Sequence, residues 1–224
     1  MARIARVVIP NLPHHVVQRG NRSQKVFFGD EDKTAYLRIL KEQCQRFGVS
    51  IWSYCLMDNH VHFIAVPKDK DGLARAFGQT HRHYTRRVNF REAWRGYLWQ
   101  GRFSSYVLDE NYLYAAVRYI ETNPVQAGLV LKAEDYPWSS ARARVFGSRD
   151  ENLSDFFLTK EITRWSEFLS SSNEEDPSQE LFESRLNTGR PLGSPEFIDQ
   201  LEQITNNILK KLRPGPKPRV GVMN

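Results

Sequence analysis

Between Val49 and Pro67 the chain reads as two β-forming runs around a tight turn, and no other segment limits the fold as much. The run VSIWSYCLM, residues 49–57, is rich in β-branched and aromatic side chains. Asp58-Asn59 is turn chemistry, and HVHFIAVP, residues 60–67, is a second strand. Two such runs separated by a tight turn make an antiparallel hairpin. Its second strand also brings the sharpest local chemistry in the chain, the triplet His60-Val61-His62.

The segments around the hairpin complete a pattern. HHVVQRG, residues 14–20, is a short strand ending at Gly20, followed by the polar and cationic loop NRSQK. From Asp30 to Phe47, apolar Ala35, Leu37, Ile39, Leu40, Cys44 and Phe47 recur at helical spacing. Asp30, Glu31 and Asp32 suit the positive end of that helix, and Gly48 is a natural stop. A second helix is expected over 72–88, with Leu73, Phe77 and Tyr84 on one side. Residues 98–108 read as a loop feeding a strand, and 109–121 as a helix with Leu113, Ala116, Val117 and Ile120 as its stripe. Pro124 disfavours helical geometry at Asn123 and predicts a break or kink there. The order β-α-β-β-α-β-α matches the split βαβ arrangement. The expected class is α+β: a ferredoxin-like (RRM-like) antiparallel sheet with helices on one face, plus a helical C-terminal extension.

Beyond Val130 the character changes. Residues 150–187 are acidic and Ser-rich, and SSSNEEDPSQE reads as a loop. Ser194-Pro195-Glu196 opens a last helix expected through Leu212, with Ser at the N-cap and Pro at N1. The end is basic and rich in Pro and Gly. Three units are expected: a first domain at 1–146, a mostly helical extension at 147–212 and a basic tail at 213–224.

Charge follows the same division. The net charge of the 224 residues is +6, but residues 1–130 carry +8, residues 131–190 carry −4 and residues 191–224 carry +2. A basic excess gathered in the first unit suits a polyanionic partner. No apolar run approaches the ~20 residues of a membrane span. The N-terminus does not read as a secretory signal, so a cytoplasmic protein is expected. Two cysteines, Cys44 and Cys55, are too few for a disulfide framework and read as small buried thiols.

On a strand, His60 and His62 point to one face about 6–7 Å apart. They can hold one divalent ion from one side, or form a structural pair; a metal site needs at least a third protein group. On the helix after Asp109, Tyr112, Tyr119 and Asn123 fall on one edge, and Tyr119 and Asn123 are i, i+4 neighbours. The carbonyl oxygen of Asn123 suits a hard ion such as Mg²⁺ or Mn²⁺. A phenol beside such an ion is a possible nucleophile; Tyr119 as a half-buried aromatic is the competing reading.

With PHHVVQRGNR upstream, the motifs MDNHVHF, LWQGRFSSYVLDENYL, RYIETNPVQAGLV and DYPWSSARA occur in order across residues 6–146. In these the chain resembles the REP-associated tyrosine transposases. These belong to the insertion-sequence-200-like branch of the HUH single-strand DNA transposases. The resemblance implies that His60 and His62 are metal ligands, that Asn123 is the third, helix-borne ligand, and that Tyr119 is the catalytic tyrosine. It implies cleavage and rejoining of single-stranded DNA near imperfect hairpins through a 5′-phosphotyrosine link. The implied cofactor is a divalent metal, Mg²⁺ or Mn²⁺. Relatives in the family are domain-exchanged dimers or monomers, and the extended tail leans toward monomer. Asp58 stands where relatives usually have Pro; its carboxylate either reaches the outer shell of the metal or caps the turn, and the turn is favoured.

Basic side chains must then hold the strand. Arg19, Arg22 and Lys25 near the first loop, Arg82, Arg86 and Arg87 on the second helix, and Arg102 and Arg118 near the site in sequence are the candidates. A solvated basic face is the alternative for each. Trp99 and Phe103 read as core before base-stacking residues. His14, His15, His81 and His83 have no metal-ligand partner at obvious spacing, and read as phosphate contacts or exposed side chains. Two other functions stay open: a non-catalytic nucleic-acid binder of the same fold, and a metal-dependent phosphohydrolase using water.

Overall fold

The structure is a computed structural model that describes residues 6–171 and 179–211. Four strands form one antiparallel sheet: β1 (His14–Arg19), β2 (Val49–Met57), β3 (His60–Pro67) and β4 (Ser104–Val107). Their order is β2-β3-β1-β4. That is the order a β-α-β-β-α-β chain takes when each helical crossover skips a strand position, and the expected α+β, ferredoxin-like sheet is present. The hairpin β2–β3 has the expected limits, with a register shift between Ile51 and Ser53.

Helices α1 (Asp30–Arg46) and α2 (Gly72–Arg91) lie together on one face. Alternation in β3 sends Val61, Phe63 and Ala65 into that layer, against Leu37, Leu40, Leu73 and Phe77. The opposite set in β3 meets α3 (Glu110–Gln126), whose Leu113, Val117 and Ile120 pack with Ile64 and with Val17 of β1. The expectation of helices on one face therefore holds for α1 and α2 only. The apolar stripe of α3 needs its own cover, and it takes the second face of the sheet.

The rest of the described chain builds on that second layer. Helices α4 (Ser140–Phe146), α5 (Leu158–Glu161), α6 (Trp165–Ser170) and α7 (Gln179–Thr188) place Ala141, Leu158, Trp165, Leu169, Phe182 and Leu186 in the α3 core. Helix α8 (Pro195–Thr205) starts as expected, with the Ser194 hydroxyl accepting the Phe197 N–H at 3.2 Å. It stops at Thr205, not Leu212: Asn206 is left-handed (φ +52°), and Glu202 accepts the N–H groups of Leu209 and Lys210 instead. Most of SSSNEEDPSQE and the tail from 212 onward lie outside the described residues.

A second difference matters for function. Helix α3 runs through Pro124 to Gln126, with no break at Asn123. Proline removes the N–H that would have donated to the Ile120 carbonyl, and α3 carries that loss within its last turn. The helix closes normally: Ala127 N–H donates to the Asn123 carbonyl at 3.0 Å, and Leu129 N–H to Pro124 at 2.9 Å. Asn123 thus stays helical, one turn beyond Tyr119. Helix α2 likewise extends past Val88 to Arg91. Among the described residues no helix is long and apolar enough to cross a membrane. Cys44 and Cys55 are free and buried, as expected.

Candidate active site

The pairing of β1 with β3 sets Arg19 opposite His60 and Val17 opposite His62. Directly opposed residues share a face and lie close. Helix α3 crosses that face and brings Tyr119 and Asn123 to it. The rings of His60 and His62 are 4.9 Å apart between centroids, and the rings of His62 and Tyr119 are 5.7 Å apart. The Asn123 side chain hydrogen-bonds both His60 and Tyr119. The four residues singled out in the sequence therefore converge on one point. They come from two elements, β3 and α3, that are separated by 42 residues of chain and meet only on the second face of the sheet.

The imidazole network assigns the nitrogens. Asn59 Oδ1 accepts from His60 Nδ1 at 2.6 Å, which leaves Nε2 of His60 toward Asn123. Nδ1 of His62 is 3.0 Å from Nε2 of His15, and Nδ1 of His15 is 2.7 Å from the Tyr106 hydroxyl. Nε2 of His62 is buried with no hydrogen-bond partner. A buried imidazole nitrogen left without a partner costs free energy unless something binds it. Two imidazole nitrogens and an amide oxygen form a donor set that fits a divalent ion. Among the described residues no group of three or more His, Cys, Asp or Glu is placed to hold a metal, so any such site must draw on another residue type.

The electrostatics keep both imidazoles neutral. Burial, with Arg19 nearby, holds His60 down at about 4. Burial and the adjacent His60, His15 and Arg19 hold His62 well below the ordinary imidazole range. Burial raises the Tyr119 phenol, while the bond from Asn123 and the charge of Arg19 work the other way. Helix α7 closes the site: the Phe182 ring stacks on Tyr119 at 4.9 Å, and Glu183 pairs with Arg19 at 3.5 Å.

The family model described as "Transposase IS200 like" matches residues 8–123. The chain belongs to the IS200-like transposase family. The matched stretch of this IS200-like transposase runs from the approach to β1 to Asn123 in α3, the whole set of converging residues. No curated protein matches the sequence. Among solved structures, a REP-associated tyrosine transposase bound to a REP hairpin superposes with a TM-score of 0.57 at 18% identity, covering 70% of this chain and 93% of that one. A candidate transposase from Deinococcus radiodurans R1 gives a TM-score of 0.38 at 19% identity, covering 54% of this chain and 97% of its own. The first likeness supports the fold.

The basic candidates of the IS200-like transposase disperse. Arg19 and Arg102 line one cavity of about 360 Å³ beside the site, with Gln18, Gln100 and Glu183. Arg22 is exposed in the loop after β1. Lys25 pairs with Asp58 at 3.3 Å, and Lys33 joins the same carboxylate at 2.9 Å. The Asp58 carboxylate is thus taken up by two lysines, which neither of the two readings anticipated, while its backbone carbonyl accepts the Val26 and Phe27 N–H groups. Arg82, Arg86 and Arg87 are exposed on α2, on the other layer. Arg118 is turned aside: its Nε donates to the Phe168 carbonyl at 2.9 Å and its guanidinium lies over the Phe168 ring.

Three histidines depart from expectation. His14, His15 and His81 are buried, neither exposed nor set against solvent for phosphate. His14 Nδ1 donates to the Leu12 carbonyl and its Nε2 accepts from Ile9. His81 meets the Tyr36 hydroxyl at 3.0 Å. His83 is exposed. Trp99 and Phe103 are core, as read. Sequence reasoning misplaced His15 and passed over Tyr106, Phe182 and Glu183. Alternation within β1 was the one available signal, since it places His15 on the face of Val17 and Arg19.

Proposed function

We propose that the chain is a metal-dependent single-stranded DNA transesterase that cleaves and rejoins DNA near REP-like hairpins. The observation that carries this reading is the convergence of Tyr119, Asn123, His60 and His62, with His62 Nε2 buried and unpartnered. Asn123 and the two imidazoles would hold Mg²⁺ or Mn²⁺. When bound, that ion supplies charge neutralisation at the phosphoryl oxygens and at the phenol. Tyr119 Oη attacks phosphorus, an O–P bond forms, and the bond from phosphorus to the 3′ oxygen breaks. The phenol proton is balanced by the one the leaving 3′ oxygen takes up. The products are a 5′-phosphotyrosine and a free 3′-OH, and the reverse reaction with another 3′-OH rejoins DNA without a nucleotide cofactor.

The partner would be single-stranded DNA with imperfect hairpins, met in the cytoplasm, with the protein a monomer or a homodimer. Residues 1–146 would carry the chemistry and 147–212 would cover and brace it. The membership of the chain in the transposase family and its likeness in fold to a REP-hairpin-bound relative support this over a phosphohydrolase or a binder without chemistry.

The test is a denaturing gel of labelled hairpin DNA with Mg²⁺ or Mn²⁺. A covalent protein–DNA adduct is expected, lost in Tyr119→Phe and with reduced metal response in Asn123→Ala. Free 5′-phosphate ends without an adduct would make it a hydrolase. An adduct that persists in Tyr119→Phe would move the nucleophile elsewhere.

A further inference from the structure

The C-terminal end of α2 and the turn after it carry three exposed aromatic side chains, one of which, Trp94, also packs edge-on against Phe28 at 5.6 Å. Phe90 is 90% exposed, Tyr97 87% and Trp94 46%. This is not a frayed end. Trp94 N–H donates to the Asn89 carbonyl at 2.9 Å, Ala93 is left-handed (φ +54°), and Asn89 Nδ2 donates to the Gly96 carbonyl at 3.0 Å. The helix stop therefore holds the aromatics outward on a fixed turn. Arg82 and Arg86 line the same concave surface, a cleft of about 650 Å³ floored by Leu98 and Trp99. The acid closest in sequence, Glu92, is taken up by Arg91 at 2.6 Å, so the patch keeps its positive sign.

The patch also connects to the site. Leu98 carbonyl accepts the Asn21 N–H at 2.9 Å, and Gln100 N–H donates to the Arg19 carbonyl at 2.8 Å. The segment after Tyr97 is thus stitched to the end of β1, where Arg19 stands opposite His60, and to the start of the loop that follows.

We infer that Phe90, Trp94 and Tyr97, with Arg82 and Arg86, form a second nucleic-acid site that stacks unpaired bases of the DNA strand on its way to Tyr119. Exposed π-faces accept any base, and interleaved arginines take the phosphates between them. This rests on the proposed DNA chemistry and adds where the unpaired strand is held. Charge complementarity favours a polyanion over a second copy of this basic chain.

The test is fluorescence anisotropy of the full chain with three labelled DNAs: a hairpin with a single-stranded flank, the same with an abasic flank, and a blunt hairpin. Phe90→Ala with Tyr97→Ala is expected to weaken binding of the flanked hairpin about 10- to 100-fold. The same pair should change binding of the other two little. Arg82→Gln with Arg86→Gln should make the salt dependence shallower by about 1.4 in log–log slope. Equal losses on intact and abasic flanks, or wild-type affinity in both variants, would overturn the inference. So would a loss of dimer, by sedimentation, with DNA affinity unchanged. An adduct formed normally alongside such a result would leave the transesterase reading standing. Flank-specific loss in a protein that forms no adduct would do the reverse.

Discussion

The 3.0 Å contact between His62 Nδ1 and His15 Nε2 decides how the candidate metal site is tuned. If Nε2 of His62 binds an ion, Nδ1 carries the proton and donates to His15, whose own Nδ1–H then donates to the Tyr106 oxygen. Partners of this kind hold the ligand ring in orientation and raise its basicity. His15 is fully buried, and burial holds it at about 3, so it stays neutral and able to accept. In the proposed metal site it would be a positioning residue that acts through His62. His15→Phe keeps the ring volume and removes the acceptor. Mn²⁺ affinity by calorimetric titration should fall about 10- to 100-fold, with the thermal midpoint little changed. Unchanged affinity would reduce His15 to packing.

Helix α3 is the element on which the arrangement turns. One face carries Tyr119 and Asn123 to the sheet, and another carries Glu121 into the extension. The Glu121 carboxylate is fully buried and accepts from Ser140 Oγ at 2.6 Å, Ser53 Oγ at 3.2 Å and Trp165 Nε1 at 2.7 Å. It thereby ties α3 to β2, α4 and α6 by hydrogen bonds as well as by the shared apolar core. Removing one member of a buried network leaves the other donors unsatisfied. Glu121→Ala should cost about 2–4 kcal/mol in urea unfolding. The loss should be reflected in weaker adduct formation, because Tyr119 and Asn123 share its helix. A loss below ~0.5 kcal/mol would show that the network is dispensable.

At the scale of the whole molecule, the burial of His14, His15 and His81 contributes to its response to acid. Burial lowers His81 to about 3 and His14 to about 4. Each is neutral when folded and titrates near 6.5 when unfolded, so the unfolded chain binds more protons below that value. Stability is therefore fully present above about pH 6.5 and falls as pH drops toward the folded values. His81→Gln should flatten the slope of unfolding free energy between pH 6 and 5 by up to about 1.4 kcal/mol per pH unit. A slope identical to wild type would exclude His81 as a source. Much at this scale was legible from residues alone: the strand limits of the hairpin, the strand order implied by β-α-β-β-α-β, and the spacing of His60, His62, Tyr119 and Asn123. The strand limits and order follow from local periodicity, whereas grouping the four residues as one site rested on the motifs shared with a known family, since periodicity alone left Tyr119 readable as a half-buried aromatic. What only the tertiary structure decided was non-local. It set the register of β1 on β3 that brings Arg19 to His60 and His15 to His62, and the packing of α3 on the second face. It also kept α3 helical through Pro124, and placed Phe182 and Glu183 over Tyr119. Each depends on contacts between residues tens of positions apart, and no periodicity encodes which distant side chain will fill a given neighbour's empty hydrogen bond.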